Sequence, residues 1–384
     1  MSENLTGKEL AALIQRVFQP TAADRTLAVL VDLPDRVVPD RPEWKVRREM
    51  AAGWVEQLKG VREDTGLEPS LCVYRNVRMN NADLPEEAWI VSPDRMPGVA
   101  EECDPAGSVP LPRVLRENRI LLAPTQFSAT APLKMSAPLH GFRAATMPGF
   151  SPEMIPALRL DYGEINRRVN LLKELLDRAV RADIRFRVDR KQEADLVLDL
   201  RHRTAHASGG LLPAPGTAGN LPSGEAYIVP YEGEIPGDPS GSLGTLPVQF
   251  EDGLVNYQIE QNRAVSAEGE GEAARREAGL LGKEPAYGNM AEMGLGVLAD
   301  FGVRPSGEVL LDEKLGLHIA FGRSEHFGGQ VGPAQFSSKE AVVHIDRVYV
   351  PSVQPRVSVG WVDLLMDDAS TIRLIADDRY VIPF

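Results

Sequence analysis

The run Val343-His344-Ile345-Asp346 sets an imidazole and a carboxylate two residues apart in a β-branched, apolar stretch that also holds Val342, Val348 and Val350. Such a stretch reads as a strand, and period-2 alternation turns His344 and Asp346 to one face, roughly 6–7 Å apart at Cα. That spacing suits two ligands of one metal centre, although an isolated His-x-Asp is more often a satisfied surface or core pair. Its weight comes from three further islands: Asn220-Leu221-Pro222-Ser223-Gly224-Glu225, Ala291-Glu292-Met293-Gly294-Leu295-Gly296 and His318-Ile319-Ala320-Phe321-Gly322. Each sets a metal-competent side chain beside glycine. Taken singly, Glu225 or Glu292 is an ordinary solvated carboxylate of a turn or helix. Together the islands point to a metal.

The elements that must carry these residues fall into two parts. From about residue 26 the chain alternates strand-like and helix-like patterns, the grammar of βαβ units. Apolar runs at 27–31, 71–74, 89–91 and 120–123 read as strands, the last ending at Pro124. Val46, Met50, Trp54 and Leu58 recur at four-residue spacing on one helix, and Ile165, Val169, Leu172, Leu176 and Val180 on another. Residues 203–222 turn sharply to Ser, Gly, Pro and Ala, which marks a domain junction or an active-site loop. Beyond it lie short β-rich segments at 226–230, 248–250, 309–311, 342–350, 357–362 and 371–374, with one acidic helix around 268–278. The expected fold is an α/β N-terminal domain with an open, mostly parallel sheet over residues 1–205. An α+β metal-binding domain follows over 206–384. No GxGxxG or Walker A run is present, so nothing here invokes a nucleotide.

Composition narrows the function classes. A chain of 384 residues carries a soft prior of two domains. With 55 acidic against 42 basic residues it lacks the concentrated basic surface that a nucleic-acid or anionic-membrane binder needs. Its beginning reads as an amphipathic helix without the basic start and apolar core of a secretory leader, and no window approaches the length of an apolar membrane span. Cys72 and Cys103 have 30 residues between them and no CxxC spacing, and are too few for a disulfide scaffold. A cytoplasmic enzyme is the expectation.

In order and in residue type, the four islands resemble the motifs of the thermophilic aminopeptidase family, aminopeptidase T and its leucyl aminopeptidase relatives. There, a Gly-Glu after a Leu-Pro turn, a second Glu, a His-x-Ala-x-Gly and a His-x-Asp supply a two-metal site. The likeness extends upstream through Gly141-Phe142-Arg143 and Met147-Pro148-Gly149, and so covers the chain from about residue 110 onward. Carried over residue by residue, it implies Glu225, Glu292, His318, His344 and Asp346 as ligands of two divalent ions, zinc, manganese or cobalt, with one carboxylate bridging. Two ions about 3.5–4 Å apart can acidify a shared water and polarise an amide carbonyl. The implied activity is hydrolysis of an amide or peptide bond in a small molecule or short peptide, by a homodimer.

One position departs from the family. The aminopeptidases carry a catalytic tyrosine seven residues after the histidine that matches His318, and this chain has Glu325 there. Glu325 and its neighbour His326 become the candidates for proton transfer, with Tyr231, Tyr287 and Tyr349 able to reach in from elsewhere. Arg323 can grip a substrate carboxylate, or simply pair with Glu325. The alternative enzyme class is a ring-cleaving dioxygenase similar to 2,5-dihydroxypyridine 5,6-dioxygenase, with a single Fe(II) on two histidines and a carboxylate, such as His318, His344 and Asp346. Those enzymes have histidine where Glu292 stands and lack the counterparts of Glu225 and His318, so the five retained ligands favour the hydrolase. They also argue against a third reading, a binding protein that has lost activity. His140, His202 and His206 read as solvated or linker residues, and Glu268 to Glu277 as an exposed acidic helix face.

Overall fold

The computed structural model describes residues 4–384. The chain forms two compact units that interleave along the sequence. The first takes the chain up to Asn166 with Gly210–Ser223 and Ser306–Leu311, and the second takes Arg167–Gly209, Gly224–Pro305 and Asp312–Phe384. The Ser/Gly/Pro-rich stretch read as a junction is where the chain leaves the second unit and returns to it. It is more than a loop, because it contributes one strand to a sheet of each unit.

In the first unit, strand β1 (Thr26–Leu33) lies between β2 (Glu68–Arg75) and β5 (Ile120–Ala123). On the far side of β5 come β6 (Arg143–Thr146) and β10 (Thr217–Asn220), all parallel. The short β3 (Glu87–Val91) and β4 (Val109–Pro110) close the other edge antiparallel. Every residue of β1 after Thr26 is buried, as expected where both faces of a parallel sheet are covered. The helix Pro42–Gly60 packs on β1 and β2 and buries Trp44, Met50, Trp54 and Leu58. Val46 instead stands 41% exposed. Residues four apart drift around a helix of 3.6 residues per turn, so a run of them leaves the buried stripe at one end. In the same way Ile165, Val169, Leu172 and Leu176 are fully buried on the helix Tyr162–Arg178, while Val180 belongs to the strand that follows.

The second unit holds two antiparallel sheets. In the larger, the order is β14 (Arg263–Gly269), β13 (Gly253–Glu260), β12 (Leu243–Phe250), β8 (Gln192–Asp199), β7 (Ala179–Val188), β18 (Val357–Met366), β19 (Thr371–Ala376) and β20 (Arg379–Tyr380). The smaller is β17 (His344–Val348), β16 (Leu317–Gly322), β15 (Met290–Gly296), β11 (Glu225–Ile228) and β9 (His206–Ser208). The mostly parallel sheet followed by mixed α and β structure is the fold class expected. Two local readings change. Residues 309–311, expected as a strand, form the helical turn Val309–Asp312, since a three-residue apolar run has no period to distinguish the two. The acidic helix runs Gly271–Lys283, and its Glu277 is buried, accepting hydrogen bonds from the Tyr257 and Tyr287 hydroxyls. Among the described residues, no helix is long and apolar enough to cross a membrane.

Candidate metal centre

The smaller sheet brings the four islands side by side, one on each of β11, β15, β16 and β17. Antiparallel register sets Glu225 opposite Gly296 and Tyr227 opposite Gly294. It sets Glu292 opposite Ala320 and Gly294 opposite His318, then Ala320 opposite Asp346 and Gly322 opposite His344. Directly paired residues share a face of a sheet, so Glu225, Glu292, His318, His344 and Asp346 all project from the same one. In the paired registers that face also carries Gly294, Gly296, Ala320, Gly322, Tyr227 and Val348, with Ser208 and His206 of β9 beside Glu225 and Tyr227. The small residues form a floor. A Cβ on Gly294 would lie 2.0 Å from His318 Nε2, so the imidazole occupies the space over that glycine.

Glu292 stands at the middle of the cluster. Its Oε1 is 3.2 Å from His318 Nε2 and its Oε2 is 3.2 Å from His344 Nε2. Beyond His318 lies Glu225 Oε2, at 3.5 Å, and beyond His344 lies Asp346 Oδ1, at 3.6 Å. Two triads of ligand atoms result, Glu225 with Glu292 and His318, and Glu292 with His344 and Asp346. The first is closed in, with His318 at 0% exposure, whereas the side chain of His344 is 21% exposed and marks the open end.

Charge in this cluster is held by mutual support. Burial opposes ionisation of Glu292, but hydrogen bonds from His318 and His344 hold its carboxyl well below the usual carboxylate range. Burial also works against a charged His318, yet Glu292, Glu225 and Asp346 outweigh it and raise the imidazole to about 9. His344 is likewise raised well above its ordinary value, by Asp346 and Glu292 against burial. Protons on both imidazoles therefore supply counter-charge to the acids. Even so, the buried Glu225 Oε2 and Asp346 Oδ1 have no hydrogen-bond partner. Leaving a buried acceptor unsatisfied costs about 1–3 kcal/mol, more when it is charged. Buried oxygens without donors and a mixed carboxylate and imidazole set fit a divalent cation. Glu225 Oε1, by contrast, is taken: it accepts from Lys314 Nζ at 2.6 Å. Lys314 is wholly buried and also bonded to Glu313. Burial opposes its charge, but Glu225 and Glu313 keep the ammonium group protonated.

Arg323 and Glu325 are each other's partners, in a bidentate pair with both contacts at 2.6 Å. His326 Nδ1 is 3.5 Å from Glu325 Oε2, and its ring centre is 5.5 Å from that of His344. Burial, with the positive charges of His344 and Arg323, pushes His326 down to about 4 and leaves it neutral at pH 7. Tyr231, Tyr287 and Tyr349 turn away, donating to Asp238 O, Glu277 and Pro247 O.

The phenol beside the cluster is Tyr227, two residues beyond the first motif. Its ring stacks on His206 and meets Phe327 edge to face, and Phe327 also packs against His344. Burial, then Glu292 and Glu225, raise Tyr227 above its ordinary value, so the hydroxyl keeps its proton. His206, read as linker, is part of β9, and its Nε2 lies 2.9 Å from Phe327 O. A signal for Tyr227 existed: Glu225-x-Tyr227 has the same two-residue spacing as His344-x-Asp346.

No protein-family model matches this sequence, and no curated protein matches it. Solved structures do. The chain is similar to 2,5-dihydroxypyridine dioxygenase from Pseudomonas putida KT2440, with a TM-score of 0.60 and 15% identity over 99% of both chains. It is also similar to wild-type AmpT from Thermus thermophilus, with a TM-score of 0.55 and 16% identity over 98% of both chains. The fold is thus shared along nearly the whole chain with both proteins.

Proposed function

We propose that this chain is a metal-dependent hydrolase of a small amide or short peptide. Glu225, Glu292 and His318 hold one divalent ion, and Glu292, His344 and Asp346 hold a second. The observation that carries the reading is the place of Glu292 between the two imidazoles. His318 and His344 fall in different triads, whereas a lone iron on two histidines and a carboxylate needs both imidazoles on one ion. Zinc, manganese or cobalt ions here would polarise an amide carbonyl and bring a water within reach of ionisation at neutral pH.

The chain's own residues supply the rest. His326 is neutral, and its Nδ1 faces Glu325, which leaves Nε2 to accept a proton at the open end of the site. Glu325, engaged by Arg323, orients that ring. Arg323 receives a substrate carboxylate only by giving up Glu325. The protonated Tyr227 is a hydrogen-bond donor for negative charge developing on the carbonyl oxygen, the role left vacant after His318. Phe327, packed on Tyr227 and His344, forms the apolar wall that excludes bulk water. The same reading has the enzyme working as a homodimer in the cytoplasm.

The fold is common to both similar structures and does not choose between them, so the test is elemental analysis joined to turnover. Metal-saturated protein should hold nearly two equivalents of zinc, manganese or cobalt per chain. It should also hydrolyse aminoacyl amides, and His344→Ala should abolish this while remaining folded. One equivalent of iron, with oxygen uptake on a dihydroxypyridine, would replace this reading with a ring-cleaving dioxygenase.

A further inference from the structure

Lys314 sits in the turn Glu313–Leu315 that leads into β16, and it is 0% exposed. Its backbone passes directly over the sheet floor, where a Cβ on Gly296 would lie 2.1 Å from the Lys314 carbonyl carbon. The side chain therefore starts from a fixed base, and its Nζ ends 2.6 Å from Glu225 Oε1. That contact leaves Glu225 a single free oxygen, Oε2, for a metal. The two oxygens of one carboxylate are adjacent, so a cation on Oε2 would lie within a few ångströms of the ammonium group, in a buried setting where like charges repel strongly.

The other triad carries no such cation. Among the described residues, the ion pairs of Asp346 and Glu292 are with histidines alone. His344 is also the better fixed imidazole. Its Nδ1 lies 2.8 Å from Arg323 O, which holds Nε2 toward the triad, whereas His318 Nδ1 is 3.4 Å from Gly316 O. A firm outer hydrogen bond of this kind strengthens a histidine as a ligand.

We infer that Lys314 makes the two metal positions unequal, weakening the one formed by Glu225, Glu292 and His318 relative to the one formed by Glu292, His344 and Asp346. Lys314 is thus a positioning residue, acting through Glu225. The inference rests on the reading that these five side chains hold metal ions, and goes beyond it by assigning a filling order and the residue that sets it.

The test is a titration of metal-free protein with zinc against a competing chromophoric chelator. Wild type should bind one equivalent tightly and a second at least tenfold more weakly. Lys314→Met should strengthen the second at least tenfold and leave the first unchanged. Glu225→Gln should lose the weak equivalent and keep the tight one. Two equal equivalents in wild type would overturn the inference, as would a weak equivalent that Lys314→Met fails to strengthen, or loss of the tight one in Glu225→Gln. Should Lys314→Met not fold, Lys314→Gln, which keeps a donor for Glu225 without the charge, is read in the same way, and a weak equivalent that it fails to strengthen overturns the inference. Absence of any zinc binding to wild type would defeat the metal reading itself, a different failure.

Discussion

At the scale of single residues, the centre turns on Glu292, whose two oxygens face two different histidines. Glu292→Gln is accordingly expected to lower metal content at both positions, while Asp346→Asn lowers it at one. Elemental analysis of the two variants separates a shared carboxylate from an ordinary ligand. His326 makes the opposite kind of prediction. It lies beside His344 without belonging to either triad, so His326→Ala should leave bound metal unchanged. It should reduce kcat by roughly 10²–10⁴-fold, the usual range for a general acid or base. The five clustered side chains were legible in the sequence because each stands in a short motif that resembles one of the aminopeptidase family, and a short motif is a local property. Lys314 and Tyr227 stand outside those motifs. A buried lysine looks like any surface lysine until its partners are known, and Tyr227 gains meaning only from the strands beside it.

At the scale of elements, the floor of small residues explains why the motifs alternate as they do. Gly294 is the clearest case, because a methyl group there would collide with the His318 ring. Gly294→Ala should displace that imidazole, weaken metal binding at the Glu225 side, and destabilise the protein by about 1–3 kcal/mol, the usual effect of overpacking. Chemical denaturation run alongside metal analysis checks both. The helix Pro42–Gly60, with its helical periodicity, and β1, with its continuous apolar run, were readable from their own residues. The short β9 and β10 were hidden in a Ser/Gly/Pro-rich stretch. Three or four residues that pair along a sheet edge need no apolar alternation, and so they leave no mark in composition.

At the scale of the whole molecule, the first unit carries a pH dependence of its own. Asp32 on β1 is fully buried and accepts the backbone N–H groups of Gln126 and Phe127 at 2.7 and 2.9 Å. Burial outweighs those bonds and pushes the carboxyl up to about 6 from 3.8. A carboxyl with a raised folded value binds its proton more tightly when folded. Its stabilising contribution is complete below pH 3.8 and is lost as pH rises to about 6, by roughly 3 kcal/mol. Comparing denaturation of wild type and Asp32→Asn between pH 4 and 7 should show the variant without this fall, and identical pH profiles would contradict it. What the sequence by itself determined is the local grammar: the longer apolar runs as strands, and an imidazole and a carboxylate set two residues apart so that they share a face. Only the tertiary structure decided that β11, β15, β16 and β17 are neighbours, that Glu292 lies between the two histidines, and that a lysine grips Glu225. Those facts depend on hydrogen-bonded register passed from strand to strand between Glu225 and the far end of β17, Val348. They depend also on burial, which turns ordinary side chains into strongly interacting charges, and neither is a property of any short window of sequence.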